Sequence, residues 1–427
     1  MQYIVNFVTQ LDQIDKSHWQ ALFASDHPFT QYDYLHTLEQ SGCVSKENGW
    51  QPFHLVVYLQ STQPIEAHKQ APIAIMPLYL KSHSYGEYMF DWSWAQAFKE
   101  HGVEYYPKLV NAVPYTPVSG QRLAIAEHVK HLHADIMHAI TQALLTKASA
   151  LGVSNVQCLF HSAQESDWFN ASKIKAAEIV FTADEEETHP ADIKGTQWQR
   201  REDVQFHWFN KHYQNFDDFL ATLNARKRKS IKKERIKVEQ QGIVFEHIAG
   251  KDITAAIWQQ FFHFYQTTYL KRSGHLGYLS LACFTQWGRT IPDHITLVVA
   301  RKRITNEAAS EPSGSAIIAG SLFFHDQNNL YGRYWGCSEA CEFLHFETCY
   351  YQGIELAINK GLSCFNAGAQ GEHKVARGFE PVITYGHYLL CSPLFNEAIK
   401  DFLNREIKHH QAYRQSISLK LPYKSID

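Results

Sequence analysis

The sequence has no apolar run near the ~20 residues that a membrane-spanning helix requires. Its apolar stretches, such as residues 53–59 and 71–80, are only strand-length. It also lacks a basic leader: residues 1–8 carry no lysine or arginine, and the chain turns polar at Gln10, Asp12 and Asp15. No secretory signal is read there, and the cytoplasm is the expected compartment. Eight cysteines (43, 158, 283, 337, 341, 349, 364 and 391) include no Cys-x-x-Cys pair. They sit in apolar patterns and read as reduced thiols. Histidine is plentiful, at 25 copies, yet none has His-Glu-x-x-His spacing, so no metal site is expected. With a net charge of -3, global charge steers the chain neither to nucleic acid nor to anionic lipid. Such a partner would have to meet a local patch.

What the chain has is apolar mass: 45% hydrophobic and 14% aromatic residues over 427 positions. That predicts two cores of roughly 200 residues each, which we divide at 1–209 and 210–427. Both halves share an order of elements. In the first, strands are expected at 53–59, 72–81 and 85–91, followed by a helix carrying Leu132, Ile136, Ile140 and Leu144 and ending at Gly152, then a strand at 155–160. In the second, strands at 295–300, 316–324 and 330–335 precede a helix near 346–360, a Gly361 stop and a strand at 363–366. A polar stretch at 304–315 reads as a mobile surface loop, and an acidic run, 184–187, precedes a strand-like 205–209. Tyr85-Gly86-Glu87-Tyr88 aligns with Tyr331-Gly332-Arg333-Tyr334. The repeated order predicts a duplication, each half a mixed sheet with helices on its faces.

Three blocks, residues 330–336, 344–353 and 368–379, resemble the Fem-like predicted N-acyltransferases, the peptidoglycan biosynthesis or recognition proteins of the GNAT superfamily. Residues 77–84, 105–108, 205–208 and 226–237 extend the resemblance over nearly the whole chain. It implies a tandem GNAT-like α/β fold and transfer of an acyl or aminoacyl group to an amine, with a peptidoglycan precursor or related metabolite as acceptor. No tightly bound cofactor is implied; the acyl donor is an aminoacyl-tRNA or an acyl-CoA. The family tends to place a carboxylate shortly before Gly-Ala-Gln, where this chain has Asn366. A non-catalytic recognition module with a degenerate site therefore stays open as an alternative. So does an acyl-CoA N-acetyltransferase, although neither half carries a clean Gln/Arg-x-x-Gly-x-Gly/Ala pyrophosphate loop.

Amide formation needs a neutral amine, donors for the oxyanion and a proton for the leaving group. Gly332 and Gly336 allow close approach to the strand at 330–335, where an acyl group would lie. The block after the last strand holds Gln370, Glu372, His373, Lys374 and Arg377 between glycines. Glu372 or His373 suits deprotonation of the amine; Gln370, Lys374 and Arg377 suit a polar or anionic group. His345 and Glu347, at a helix start, are further catalytic candidates, and Arg333 and Tyr334 candidate pocket residues. In the first half, Lys81, Asp91 and Lys108 are candidates for an acceptor site. Residues 226–237 carry eight positive charges and one negative, on a helix capped by Asp217 and ended by Gly242. Fem-like enzymes open their second half with a similar helix, so Arg226, Lys227, Lys232 and Lys233 are candidate phosphate contacts for tRNA. No aromatics are interleaved to stack bases.

Overall fold

The structure is a computed structural model that describes residues 2–60, 71–171, 179–181, 197–303, 315–369, 371–391 and 393–424. The expected loop at 304–314, the acidic run at 184–187 and Gln370 lie outside the described residues. Two compact units emerge: Met1–Ser25 with Phe29–Asp203 and Ile383–Ala412, and Asp26–Pro28 with Val204–Val382 and Tyr413–Asp427. Residues 383–412 thus group with the first unit, although they follow position 210.

In the first unit, β1 (Tyr3–Val8), β2 (Trp50–Pro52), β3 (His54–Leu59), β4 (Ala74–Met76), β5 (Tyr79–Lys81), β6 (Lys108–Asn111), β7 (Ala124–Ile125), β8 (Asn155–His161) and β9 (Ile179–Phe181) are strands. β10 (Gln199–Phe209) begins here and ends in the second unit. β3 pairs antiparallel with β1 and β4. The expected strand at 72–81 breaks into β4 and β5 around Pro77, which has no N–H to give a ladder. β6 then runs antiparallel to β5 and parallel to β8. The helix His133–Ala150 bridges that parallel pair, burying Ile136, Ile140 and Leu144 against the core.

The second unit repeats this connection. β11 (Ile243–Ala249), β12 (Ile295–Arg303), β13 (Ser315–His325) and β14 (Asn329–Cys337) form an antiparallel meander, and β15 (Cys364–Asn366) lies parallel to β14 and antiparallel to β10. Bridging β14 and β15 is a helix in three stretches, Leu344–Phe346, Glu347–Tyr351 with π geometry, and Gln352–Asn359. β16 (Glu380–Leu390) begins in the second unit and pairs with β8 in the first unit's portion. Each unit therefore has an antiparallel strand beside a helix-bridged parallel pair, the GNAT-like arrangement.

The expected third strand at 85–91 is corrected. Residues 82–91 form turns, with Tyr88 at φ 64° and Gly86 at φ 81°, and the true counterpart of β14 is β6. The shared Tyr-Gly-x-Tyr tetrapeptide therefore does not mark equivalent positions. Two helices were unforeseen in the sequence: Ala255–Ser273 packs on β13 and β14, and Leu281–Thr290 packs against it, with Trp287 reaching Phe324 and Tyr334. Their side chains accept from the first-turn amides through Thr254 and Ser280. Gly336 serves this packing: a Cβ there would lie 2.2 Å from the Phe264 carbonyl oxygen.

Candidate functional site

β14 and β15 stay paired only from Asn329↔Cys364 to Tyr331↔Asn366. Beyond Tyr331, the edge of β14 facing away from β13 has no strand partner among the described residues. A bulge sits at the same place: Leu322 opposes Tyr334 and Phe323 opposes Gly332, which leaves Arg333 as the extra residue. Bulges re-aim side chains and end pairing, and here the two parallel strands part at their carboxyl ends. In the first unit the corresponding opening is filled. Gly120 N–H donates to Phe160 O at 3.0 Å, and the Arg122 guanidinium donates to the carbonyls of Leu159, Val118 and Gln121.

The loop that flanks this parting is built by short-range contacts. Asn366 Oδ1 accepts from Gly368 N–H at 2.9 Å, so the amide that stands where a carboxylate was expected holds the turn. Gly368 and Gly371 adopt φ 87° and 115°, conformations that favour glycine. The 3₁₀ helix Glu372–Arg377 follows. Its residues do not converge on one point as the sequence suggested. Lys374 turns inward, is 1% exposed, and donates to Gly368 O at 2.6 Å; a Cβ on Gly368 would lie 3.8 Å from Gly332 O. Burial, the dominant influence, brings Lys374 down to about 7, and Arg333 adds to the effect. His373 is exposed and bonds Tyr350 OH at 2.8 Å. Glu372 is exposed and accepts from Tyr413 OH.

Arg377 is committed elsewhere. It pairs with Glu234 (2.9 Å), donates to Tyr351 OH and His373 O (2.9 Å each), and lies over the Phe346 ring at 3.5 Å. Glu347, 3% exposed, is bound by Arg235 and by Gln352. It lines a separate groove of about 610 Å³ with Phe216, Lys232, Arg235 and Glu355. Both charges are consumed by protein partners, which corrects their expected roles. Tyr334 packs in a ring cluster with Tyr265, Phe284 and Trp287, so it is a core residue. His345 packs on Trp335 and Tyr350, and burial, with Arg272 nearby, lowers it to about 3. Sequence reasoning gave no role to His207 or Gln205. His207 opposes Asn366 across β10 and β15, and burial together with Lys374 lowers it to about 4. Gln205 Oε1 faces Asn366 Nδ2 at 3.4 Å.

In the first unit, Lys81, Asp91 and Lys108 do come together, all 0% exposed, with Glu87 (2%) and Ser84 (0%) as partners missed in the sequence. Lys108 Nζ reaches Ser84 at 2.8 Å, Glu87 at 2.7 Å and Asp91 at 2.5 Å. Lys81 Nζ lies 3.7 Å from the centre of the Trp50 ring. Burial pulls Lys81 down to about 7 and pushes Glu87 up to about 7. Burial, the largest influence, would also raise Asp91, but Lys108 together with hydrogen bonds from Ser84 and Tyr105 outweighs it and holds the carboxyl at about 2.

The basic segment is two helices, Phe216–Thr222 and Ala225–Gln240, capped by Asn215 and Asn224 and not by Asp217. Gly242 follows at φ 71°. Arg226, Lys232 and Lys233 are exposed and Lys227 partly so; Lys232 pairs with Asp217 at 3.0 Å. Ile231 and Val238 are buried. No helix among the described residues is long and apolar enough to cross a membrane.

No curated protein matches the chain in sequence. Solved structures with similar coordinates include a conserved protein of unknown function from Bacteroides thetaiotaomicron (9% identity, 90% of this chain and 99% of that one, TM-score 0.48). FemX is similar at 11% identity, over 91% and 98% of the two chains, with TM-score 0.48. A tandem GNAT protein from the clavulanic acid biosynthesis pathway is similar at 10% identity, over 91% and 99%, with TM-score 0.44. A family model described as peptidoglycan biosynthesis/recognition matches residues 10–425, and the chain belongs to this FemAB-like family.

Proposed function

We propose that the protein is an N-acyltransferase that joins an acyl or aminoacyl group to an amine where β14 and β15 part in the second unit. A peptidoglycan precursor or related metabolite is the acceptor that family membership favours. The observation that carries the reading is Lys374: a buried lysine beside the open edge of β14, with a backbone carbonyl as its hydrogen-bond partner and an affinity for protons brought near neutrality. The acceptor nitrogen attacks the acyl carbon, the new C–N bond forms, and neutral Lys374 takes the amine proton. As the bond from the acyl carbon to the leaving oxygen breaks, Lys374 returns that proton to the leaving group. Backbone N–H groups of β14 beyond its pairing with β15 face the carbonyl oxygen as its charge grows. The basic helix, with Arg226, Lys227 and Lys233 displayed, supports an aminoacyl-tRNA as donor over a coenzyme A thioester, for which neither half carries a clean pyrophosphate-loop motif.

The test is single-turnover transfer from radiolabelled aminoacyl-tRNA, run beside acyl-CoA. Lys374→Met should lower turnover by ~10²-fold or more with substrate binding largely kept. Because the base is the neutral form, the wild-type rate should rise with pH through about 7 and level off above it. Full activity of Lys374→Met, or a rate flat across that range, would remove Lys374 from the chemistry.

A further inference from the structure

The first unit carries a second built site that the transfer reaction does not use. It lies in the loop after β5. Across residues 82–98 the formal charges are Glu87 and Asp91 alone, and both side chains are turned inward onto Lys81 and Lys108. Among the described residues, the backbone of 83–90 makes no backbone–backbone hydrogen bond. Side chains hold it from beneath. Trp50 Nε1 and Lys81 Nζ donate to Tyr85 O at 3.2 and 3.3 Å, and Lys108 binds Ser84, Glu87 and Asp91. The loop can therefore lift without any strand pairing being broken.

Two features point to a ligand. The outer surface offers ring faces: Tyr85, Phe90 and Trp92 are 55%, 43% and 40% exposed. Their centroids lie 5.0 Å apart for Tyr85 and Trp92 and 6.4 Å apart for Phe90 and Trp92. Beneath them, three fully buried oxygens, Glu87 Oε1, Asp91 Oδ1 and Gln157 Oε1, have no hydrogen-bond partner. Buried acceptors without donors are costly. Lys81 Nζ stands 4.0 Å from Glu87 Oε1, while Asp91 Oδ1 and Gln157 Oε1 lack a donor, so a matching ligand presents hydrogen-bond donors. Two lysines balance two carboxylates, so the site has no net charge with which to select an ion. With no lysine or arginine in 82–98, the segment has no fixed positive charge to draw it to anionic lipid or nucleic acid.

We propose that this loop binds a neutral saccharide, whose C–H faces stack on Tyr85, Phe90 and Trp92 and whose hydroxyls donate to Asp91 Oδ1 and Gln157 Oε1 when the loop lifts. The site is independent of the transfer reaction, and its test requires no turnover. The full chain is titrated by calorimetry with cellotetraose, maltotetraose and tetra-N-acetylchitotetraose, and iodide quenching of tryptophan fluorescence is followed in parallel. At least one sugar should bind with a Kd on the order of 1 mM or tighter and shield an exposed tryptophan. Tyr85→Ala and Trp92→Ala should each weaken it about tenfold, while Trp92→Phe keeps most of the affinity. These rings are exposed, so the variants should melt with the wild type, which separates lost binding from lost folding. Absence of binding to every sugar, or affinity unchanged by loss of both rings, overturns the proposal. So does co-sedimentation with phosphatidylcholine vesicles, or a concentration-dependent dimer, that Trp92→Ala abolishes without any sugar binding.

Discussion

Lys374 and Arg377 stand three residues apart on one 3₁₀ turn, where residues at that spacing share a face, and both are buried. Their surroundings give them opposite meanings. Arg377 has Glu234, Tyr351, His373 O and the Phe346 ring; Lys374 has a single carbonyl. Breaking a buried pair from one side leaves an uncompensated charge. Arg377→Met should therefore cost about 2–4 kcal/mol through the stranded Glu234, read as a lower urea midpoint at unchanged m-value. Lys374→Met removes a buried charge that has no carboxylate partner, so its midpoint should hold or rise. An equal loss of stability in both variants would contradict this division between a structural arginine and a lysine reserved for chemistry.

At the scale of elements, the basic helix separates its duties by face. Glu234 and Arg235 turn toward the π segment, meeting Tyr351, Arg377, Glu347 and Glu355, while Arg226, Lys227, Lys232 and Lys233 turn outward. If that outer face neutralises phosphates, changing those four to Gln should flatten the log–log salt dependence of tRNA binding by ~3 units. Each phosphate contact contributes nearly one, and Lys232 is already paired with Asp217. An unchanged slope, measured by filter binding, would leave the helix as a solvated face. Only about half of the described strands were legible, as short β-branched runs such as 295–300 between polar breaks; β1, β2, β6, β7, β9, β11 and β16 were not read. Residues 85–91 misled because exposed rings in a turn imitate the alternation of a strand. The helix Ala255–Ser273 has its buried rings, Trp258, Phe261, Phe264 and Tyr265, on one face at helical spacing; it escaped notice because apolar Phe262 and the exposed Leu270 beside them widen the stripe. For the site, the block at 368–379 was visible as a concentration of polar residues. The direction of each side chain was not, since it follows from a 3₁₀ turn and from partners more than a hundred positions away, such as Glu234.

Over the whole molecule, the two units share a topology but treat the opening beside their parallel pair differently. The first fills it with residues 118–122 and buries its histidines. His161 Nε2 meets His387 Nδ1 at 2.8 Å, both 0% exposed. Burial, with Arg122 and Arg200 nearby, brings His161 from the ordinary 6.5 to about 4, and burial together with His161 lowers His387. In the second unit His207 and His345 are lowered as well, to about 4 and about 3. A histidine whose folded proton affinity is depressed leaves stability intact above the unfolded value. Below it, the unfolded chain takes up the proton first, so stability falls from about pH 6.5 toward 4. For His161 alone the span amounts to roughly 3 kcal/mol, and the other three act with the same sign. Thermal midpoints should therefore fall between pH 6.5 and 4, a fall that Glu87, whose carboxyl stands at about 7 and so takes up its proton first in the folded state, partly offsets. His387→Gln preserves a neutral donor and acceptor beside His161 while removing one titrating ring, so it should soften the fall. A melting temperature level across this window in the wild type, or a variant with the same slope, would show that these histidines do not govern the acid limit of the fold.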